Sequence, residues 1–282
     1  MSHEFHYRLP GRVSGWRPGS HPGSGLGGGQ EFVSHMSLYD RPDPRRLDLR
    51  ASLRSLREDW LVRVNRQRSS ITVHVIADVS ASMSFGSARP KIQVVADFVE
   101  TLSRSAYRVG DSLGMLAFDR AHRPDLQVPA LLSRGMGSVM GELLRESRGD
   151  AGGIEGLEQT AQQLAGREGL IFLASDFHWP LERLGSVMDL FAHAYVVPLV
   201  FWDAVELQPP SRDSLALVQD AESQASRTLW LRPSLRARWV DAVAQRRAEL
   251  VRTFAARGIR PFFVEGEFDA DAMSRYFFEA AA

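Results

Sequence analysis

From residue 71 onward the chain alternates between unbroken apolar runs and stretches with an apolar residue at every third or fourth position. ITVHVIADVS, residues 71–80, is rich in β-branched residues and predicts a buried strand. Pro90 then opens a helix in which Ile92, Val95, Ala96, Val99, Leu102 and Ala106 form one apolar stripe, and Gly110 closes it. Further strands are predicted for DSLGMLAFD (111–119), a short segment near 126–132, GLIFLASDF (169–177), YVVPLVFWD (195–203) and IRPFFVEG (259–266). Helical spacing recurs at 136–146, 154–165, 181–194, 234–257 and 269–280, and residues 215–222 with 228–232 suggest a short hairpin. Continuous apolar strands alternating with helices predict an α/β fold, a mostly parallel sheet with helices on both faces. Such sheets place their sites in the loops after the carboxyl ends of strands, near a switch in strand order.

Residues 1–70 read differently. Eight of the 23 glycines lie between Gly11 and Gly29, which predicts a loop-like or extended arm. The first 70 residues carry 12 arginines against seven acidic residues, a net of +5 balanced by −5 in residues 71–282. The expectation is therefore a Gly-rich, basic arm (1–70) packing on a main α/β domain (71–282). Its charge serves either as a solvated face or as a docking surface for an acidic partner.

With 34 basic and 34 acidic residues the net charge is zero, which argues against a chain built to neutralise phosphates. The absence of cysteine excludes disulfides, thiolate nucleophiles, zinc ribbons and iron–sulfur clusters. The opening residues lack the apolar core of a secretory signal, and the apolar stretch Tyr195 to Trp202 is too short to span a bilayer. A cytoplasmic protein with no membrane insertion and no nucleic-acid partner is expected. Lys91 is the one lysine beside 33 arginines, a bias that reads as genome composition and assigns no role.

The chemistry sits at two predicted strand ends. The first strand runs into Asp78-Val79-Ser80-Ala81-Ser82, one carboxylate and two hydroxyls in alternation. GLIFLASDF ends in Ser175-Asp176, a second carboxylate at the same predicted edge. Oxygen donors of this kind suit a hard cation such as Mg²⁺ or Mn²⁺. Asp78 and Ser80 are equally suited to capping the turn that follows, and the spacing alone leaves both readings open.

Asp78-x-Ser80-x-Ser82 after a buried strand resembles the metal-ion-dependent adhesion site of von Willebrand factor type A domains. More closely, the chain resembles the bacterial "domain of unknown function 58" family, which carries such a domain. RPDPRRLDLRAS is similar to that family's signature, and WLVRVNRQRSSITVHVIADVSASM is similar to its segment feeding the metal loop. LVFWDAVE, LALVQDAE and the helix from Pro233 follow the family's order, so the resemblance covers roughly residues 25–278. It implies a Rossmann-like sheet with a divalent ion, Mg²⁺ or Mn²⁺, at its top, held by Asp78, Ser80, Ser82 and Asp176. It also implies a non-enzymatic adaptor acting with a MoxR-type AAA+ ATPase in assembly of a client enzyme or in its metal or cofactor insertion. The layout is similar to the short soluble MxaS type found with methanol dehydrogenase genes. One departure stands out: Ile154 falls where the resemblance expects a threonine ligand, so the resemblance leaves either Glu155 beside it or a water as the substitute ligand.

Other features lead elsewhere. Gly23-x-Gly25-x-x-Gly28 has dinucleotide-fingerprint spacing, but no strand precedes it and no helix follows. A metal-dependent hydrolase using the same divalent site is the rival function, with the cation activating water. A third reading keeps the fold, makes the metal site vestigial and lets partners dock through the basic arm. His74 lies inside a strand, and His178 reads as a loop or surface histidine. Trp179 reads as packing or as the rim of a partner site. Leu235, Trp239, Val243, Leu250 and Phe254 are expected to form the core stripe of the long helix.

Overall fold

The computed structural model describes residues 4–11, 17–27, 29, 31–57, 59–210, 215–219 and 226–280. The chain divides into two compact units, residues 8–71 and residues 1–7 with 72–282.

The smaller unit is built on β1 (Pro18–Gly27), β2 (Glu31–Ser37), α1 (Leu49–Ser52) and β3 (Leu61–Ser69). The strands form an antiparallel sheet in the order β1-β3-β2. The segment expected to be a loop-like or extended arm is extended as a strand over 18–27. Its glycines act by omission: a Cβ on Gly19 would lie 2.2 Å from the Ser70 nitrogen, and one on Gly23 2.5 Å from the Gln67 oxygen. Only a chain without side chains there approaches β3 so closely. Gly23 and Gly25 lie within β1 rather than between a strand and a helix, so the dinucleotide spacing is incidental; Gly28 lies outside the described residues. Asp43 accepts from the Arg45 N–H, and Asp48 caps α1 through the Ala51 N–H while taking Arg63 at 2.8 Å and His35 at 3.1 Å. The acidic residues of RPDPRRLDLRAS therefore organise local turns.

The larger unit runs β4 (Thr72–Asp78), α2 (Lys91–Val109), β5 (Ser112–Phe118), β6 (Val128–Leu131), α3 (Met136–Glu146), α4 (Ile154–Gln162), β7 (Gly169–Ser175), α5 (Leu184–Leu190), β8 (Ala194–Trp202), α6 (Ala204–Leu207), β9 (Leu215–Gln219), β10 (Ser226–Trp230), α7 (Pro233–Ala255), β11 (Phe262–Glu265) and α8 (Ala270–Ala280). Six strands form one sheet in the order β11-β8-β7-β4-β5-β6. All neighbours are parallel except β6, which closes the edge antiparallel to β5. The α/β, mostly parallel architecture matches the expectation. β9 and β10 pair antiparallel as the predicted hairpin, whose connecting residues 220–225 lie outside the described residues.

Alternate strand residues feed two cores, as the two-residue period of a strand requires. Ile171 and Leu173 of β7 join Ile154 and Leu157 of α4, Leu184 and Val187 of α5, and Leu250 and Phe254 of α7. Phe172, between them, faces the other way and meets Phe98 of α2 at 5.1 Å and Phe277 of α8 at 6.2 Å. Phe5, from the segment read as poor in core formers, is fully buried in this second core against Phe98, Phe172 and Phe268.

Within α7, Leu250 and Phe254 are buried as expected and Val243 packs against the same core, whereas Leu235 and Trp239 line a cavity of about 430 Å³ that Val243 also borders. No described helix is long and apolar enough to cross a membrane.

Candidate metal centre

β4 and β7 are neighbours at the centre of the sheet, and the strand order reverses between them. Asp78 ends β4, Ser175 ends β7, and Asp176 follows directly. Both carboxylates thus lie at the crevice where parallel sheets bind ligands.

Asp78 is fully buried. Its Oδ1 accepts from the Ser80 N–H at 2.9 Å and its Oδ2 from the Ser175 hydroxyl at 2.6 Å. The turn from Ala81 to Ser84 brings the Ser80 and Ser82 hydroxyl oxygens within 3.2 Å of each other, and Ser82 is bonded to Asp176. The structure therefore gathers Asp78, Ser80, Ser82 and Asp176. The loop before α4 crosses directly over them. The Ala81 N–H donates to the Asp150 carbonyl at 2.9 Å, and a Cβ on Gly149 would fall 1.5 Å from the Val79 oxygen.

Ile154 and Glu155 do not join the group. Ile154 is buried in the core with Leu157, because the first turn of α4 turns that position toward the sheet. Glu155 is held by Arg183 at 2.6 Å, and it makes no described bond to the four oxygen-bearing residues. The substitute-ligand expectation for Glu155 thus meets a competing guanidinium.

The corner after β7 is strained and firmly held. Phe177 has φ of 53°, the one non-glycine in the left-handed region among the described residues. Its ring packs against Trp179 and Phe254, 5.3 and 5.6 Å away. Arg246 donates to the carbonyls of Phe177 and Trp179, and the Trp202 indole donates to the Asp176 carbonyl at 2.9 Å. Several contacts together hold a backbone state that none would hold alone. Trp179 is a packing residue, nearly buried in the core.

The residue missed in the sequence is Lys91. It opens α2, is 4% exposed, and its ammonium donates to Asp176 Oδ2 at 2.7 Å and to Glu206 Oε1 at 2.8 Å. Glu206 is fixed in turn by the capping box of α6, where its Oε2 accepts from the Asp203 N–H at 2.8 Å. His178 is an exposed loop residue, as expected, and its ring also borders this cluster. Its Nε2 lies 3.5 Å from Glu206 Oε1 and 3.9 Å from Asp176 Oδ2. Asp176, His178 and Glu206 place one donor atom each within 4.8 Å of one another. The cavity bordered by Trp202, Trp239, His178 and Glu206 opens beside them.

The two carboxylates titrate in opposite directions. Burial opposes the charge of Asp176, but Lys91 and His178 outweigh it and hold its carboxyl below the ordinary range. Asp78 is pushed up to about 6, first by burial and then by the charge of Asp176, against the bonds from Ser175 and Ser80. Burial also opposes the charges of Lys91 and His178, yet their acidic neighbours raise both.

This donor set fits a hard divalent cation. Asp78, Ser80, Ser82 and Asp176 present carboxylate and hydroxyl oxygens, and Asp78 is a buried carboxylate bonded only to neutral donors.

Residues 40–249 match the family described as "protein of unknown function DUF58", and the chain belongs to that family. It is similar to uncharacterized proteins of Mycobacterium tuberculosis and Mycobacterium bovis, each 26% identical over 254 residues that cover 88% of this chain and 78% of theirs. Among solved structures it is similar to the conserved hypothetical protein BatB from Bacteroides thetaiotaomicron, at 12% identity and TM-score 0.44 over 75% of this chain and 99% of that one. It is also similar to proximal thread matrix protein 1 from the mussel byssus, with a zinc-occupied MIDAS motif, at 14% identity and TM-score 0.36 over 47% and 38% of the two chains.

Proposed function

We propose that this chain is a non-enzymatic adaptor that binds a protein partner through a divalent cation held by Asp78, Ser80, Ser82 and Asp176. One observation carries the reading: a fully buried carboxylate, Asp78, stands at the switch point of the sheet beside a second carboxylate and is bonded only to neutral donors. A bound Mg²⁺ or Mn²⁺ would supply the missing positive charge and an open coordination position for a carboxylate of the partner. The chain's own residues do the rest. Ser80 and Ser82 orient their hydroxyls together, Ser175 fixes the rotamer of Asp78, and the Phe177 corner sets the position of Asp176. The cavity walled by Trp202 and Trp239 adds an apolar neighbourhood of the kind that anchors partner side chains.

The partner in this reading is a MoxR-type AAA+ ATPase in the cytoplasm, with a client enzyme that needs assembly or cofactor insertion, such as a methanol dehydrogenase system. Support for a role without chemistry of its own comes from the hydroxyls. Ser80 and Ser82 face each other, while His178 is turned to Asp176 and Glu206. The test is an affinity capture from the native host with Mg²⁺, with EDTA, and with Asp78→Ala in Mg²⁺, the partners being identified by mass spectrometry. An AAA+ ATPase or a cofactor-bearing enzyme retained only with Mg²⁺ and intact Asp78 is the expected result. The same partners in all three arms would overturn the metal's role and move attention to the basic 1–70 segment.

A further inference from the structure

We propose that Lys91 is a resident cation of this centre, occupying one oxygen of Asp176 and holding divalent-ion affinity below what the oxygen donors alone would give. The inference rests on the divalent-ion reading above. Lys91 stands at the first residue of a 19-residue helix, where the positive end of the helix dipole makes a cation unfavourable. Its place is therefore explained by the carboxylates it meets rather than by the helix. All 33 other basic side chains are arginine, whose planar fork is broad, whereas the ammonium here is a compact point charge closed between Asp176 and Glu206 at 2.7 and 2.8 Å.

The arrangement also provides somewhere for the ammonium to remain. Glu206 is anchored by its own capping box, so Lys91 keeps one carboxylate partner when a divalent ion claims Asp176. Lys91 and Asp176 each keep a partner of opposite charge in either state, which is the condition for exchanging ions at a buried site. Asp176 is then shared between a built-in monovalent cation and an incoming divalent one, while Asp78 is left for the divalent ion alone.

The test measures Mn²⁺ binding by calorimetry to the full chain at pH 7.5. The proteins are wild type, Lys91→Met, the pair Lys91→Met with Glu206→Gln, and Asp78→Ala. The paired variant removes one charge of each sign and keeps the measurement available if Lys91→Met alone fails to fold. Loss of a like charge a few ångströms from the ion should tighten Mn²⁺ binding at least about tenfold in Lys91→Met, and by a smaller factor in the paired variant, where loss of the Glu206 charge offsets part of the gain. A second readout needs no variant at the lysine: selective ¹³C-lysine labelling gives one side-chain signal, and saturating Mg²⁺ should shift it in wild type and not in Asp78→Ala. Unchanged or weaker Mn²⁺ affinity in the lysine variants, or a lysine signal unmoved by Mg²⁺, overturns the proposal. Wild-type binding that needs Asp78 but ignores Lys91 sinks this inference alone. Absence of binding in every protein sinks the metal reading with it.

Discussion

Replacing Asp78 with Asn isolates the main electrostatic liability of the fold. The carboxyl is buried, faces Asp176, and is pushed up to about 6 from an ordinary value of 3.8. The protonated form is therefore favoured in the folded state. The stability it contributes is full below about pH 4 and is lost as pH rises through about 6. At pH 7, with no divalent ion, the ionised carboxylate disfavours folding by roughly 3 kcal/mol, from about two pH units at 1.36 kcal/mol each. Asn keeps the shape and still accepts from the Ser80 N–H, so most of that penalty should vanish. His74 complicates either curve taken by itself. Burial, then the charge of Arg167, lowers its pKa to about 4 from 6.5, so its contribution is lost as pH falls through that window. The two effects oppose each other between about pH 4 and 6.5. The difference between wild type and Asp78→Asn cancels His74 and leaves Asp78 exposed to measurement. Urea unfolding from pH 5 to 8 in EDTA should show Asp78→Asn more stable at pH 8 by up to about 3 kcal/mol, the gap closing toward pH 5. Added Mg²⁺ should stabilise wild type and leave the variant unmoved. A variant less stable than wild type at pH 8 in EDTA, or a gap independent of pH, would refute the reasoning.

Arg246→Ala strips the donors from the Phe177 and Trp179 carbonyls; an expected loss of about 2–4 kcal/mol in chemical denaturation should come with weaker Mg²⁺ binding, because the corner carrying Asp176 loosens. Ile154→Thr should lower stability by about 1–3 kcal/mol without tightening Mg²⁺ binding, since the side chain points into the core; calorimetry showing tighter binding would place the hydroxyl at the ion after all. Phe5→Ala should cost about 3–5 kcal/mol, read by urea unfolding.

The parallel sheet was legible because its strands are continuous apolar runs, a pattern that burial on both faces demands. Asp78 and Asp176 were legible for a related reason, since each directly ends such a run. Lys91 and Glu206 were not. Each sits on a helix start rather than at a strand end, and the charges converge only when α2 and α6 come to the same edge. The one trace of Lys91 was its being the single lysine, which composition alone explained equally well. Glu206 follows Asp203 by three residues, the spacing of the capping box it forms, but that spacing carries no sign of its other oxygen's partner. In residues 18–27 the glycines signalled a loop because a missing side chain serves both a turn and a close-packed strand. Only the neighbouring β3 decides between them.

The position of Phe5 bears on the order in which the protein matures at the ribosome. Its ring is made before those of its partners Phe98, Phe172 and Phe268, which are spread over the next 263 residues. The second core therefore stays incomplete until the segment bearing Phe268 has been synthesised, and the residues from Arg8 to Ile71 intervene as an insertion between Phe5 and the rest of its unit. Closure of so long a loop is slow. A nascent chain halted before residue 268 would leave Phe5 without one of its ring partners, a natural handle for a holdase chaperone.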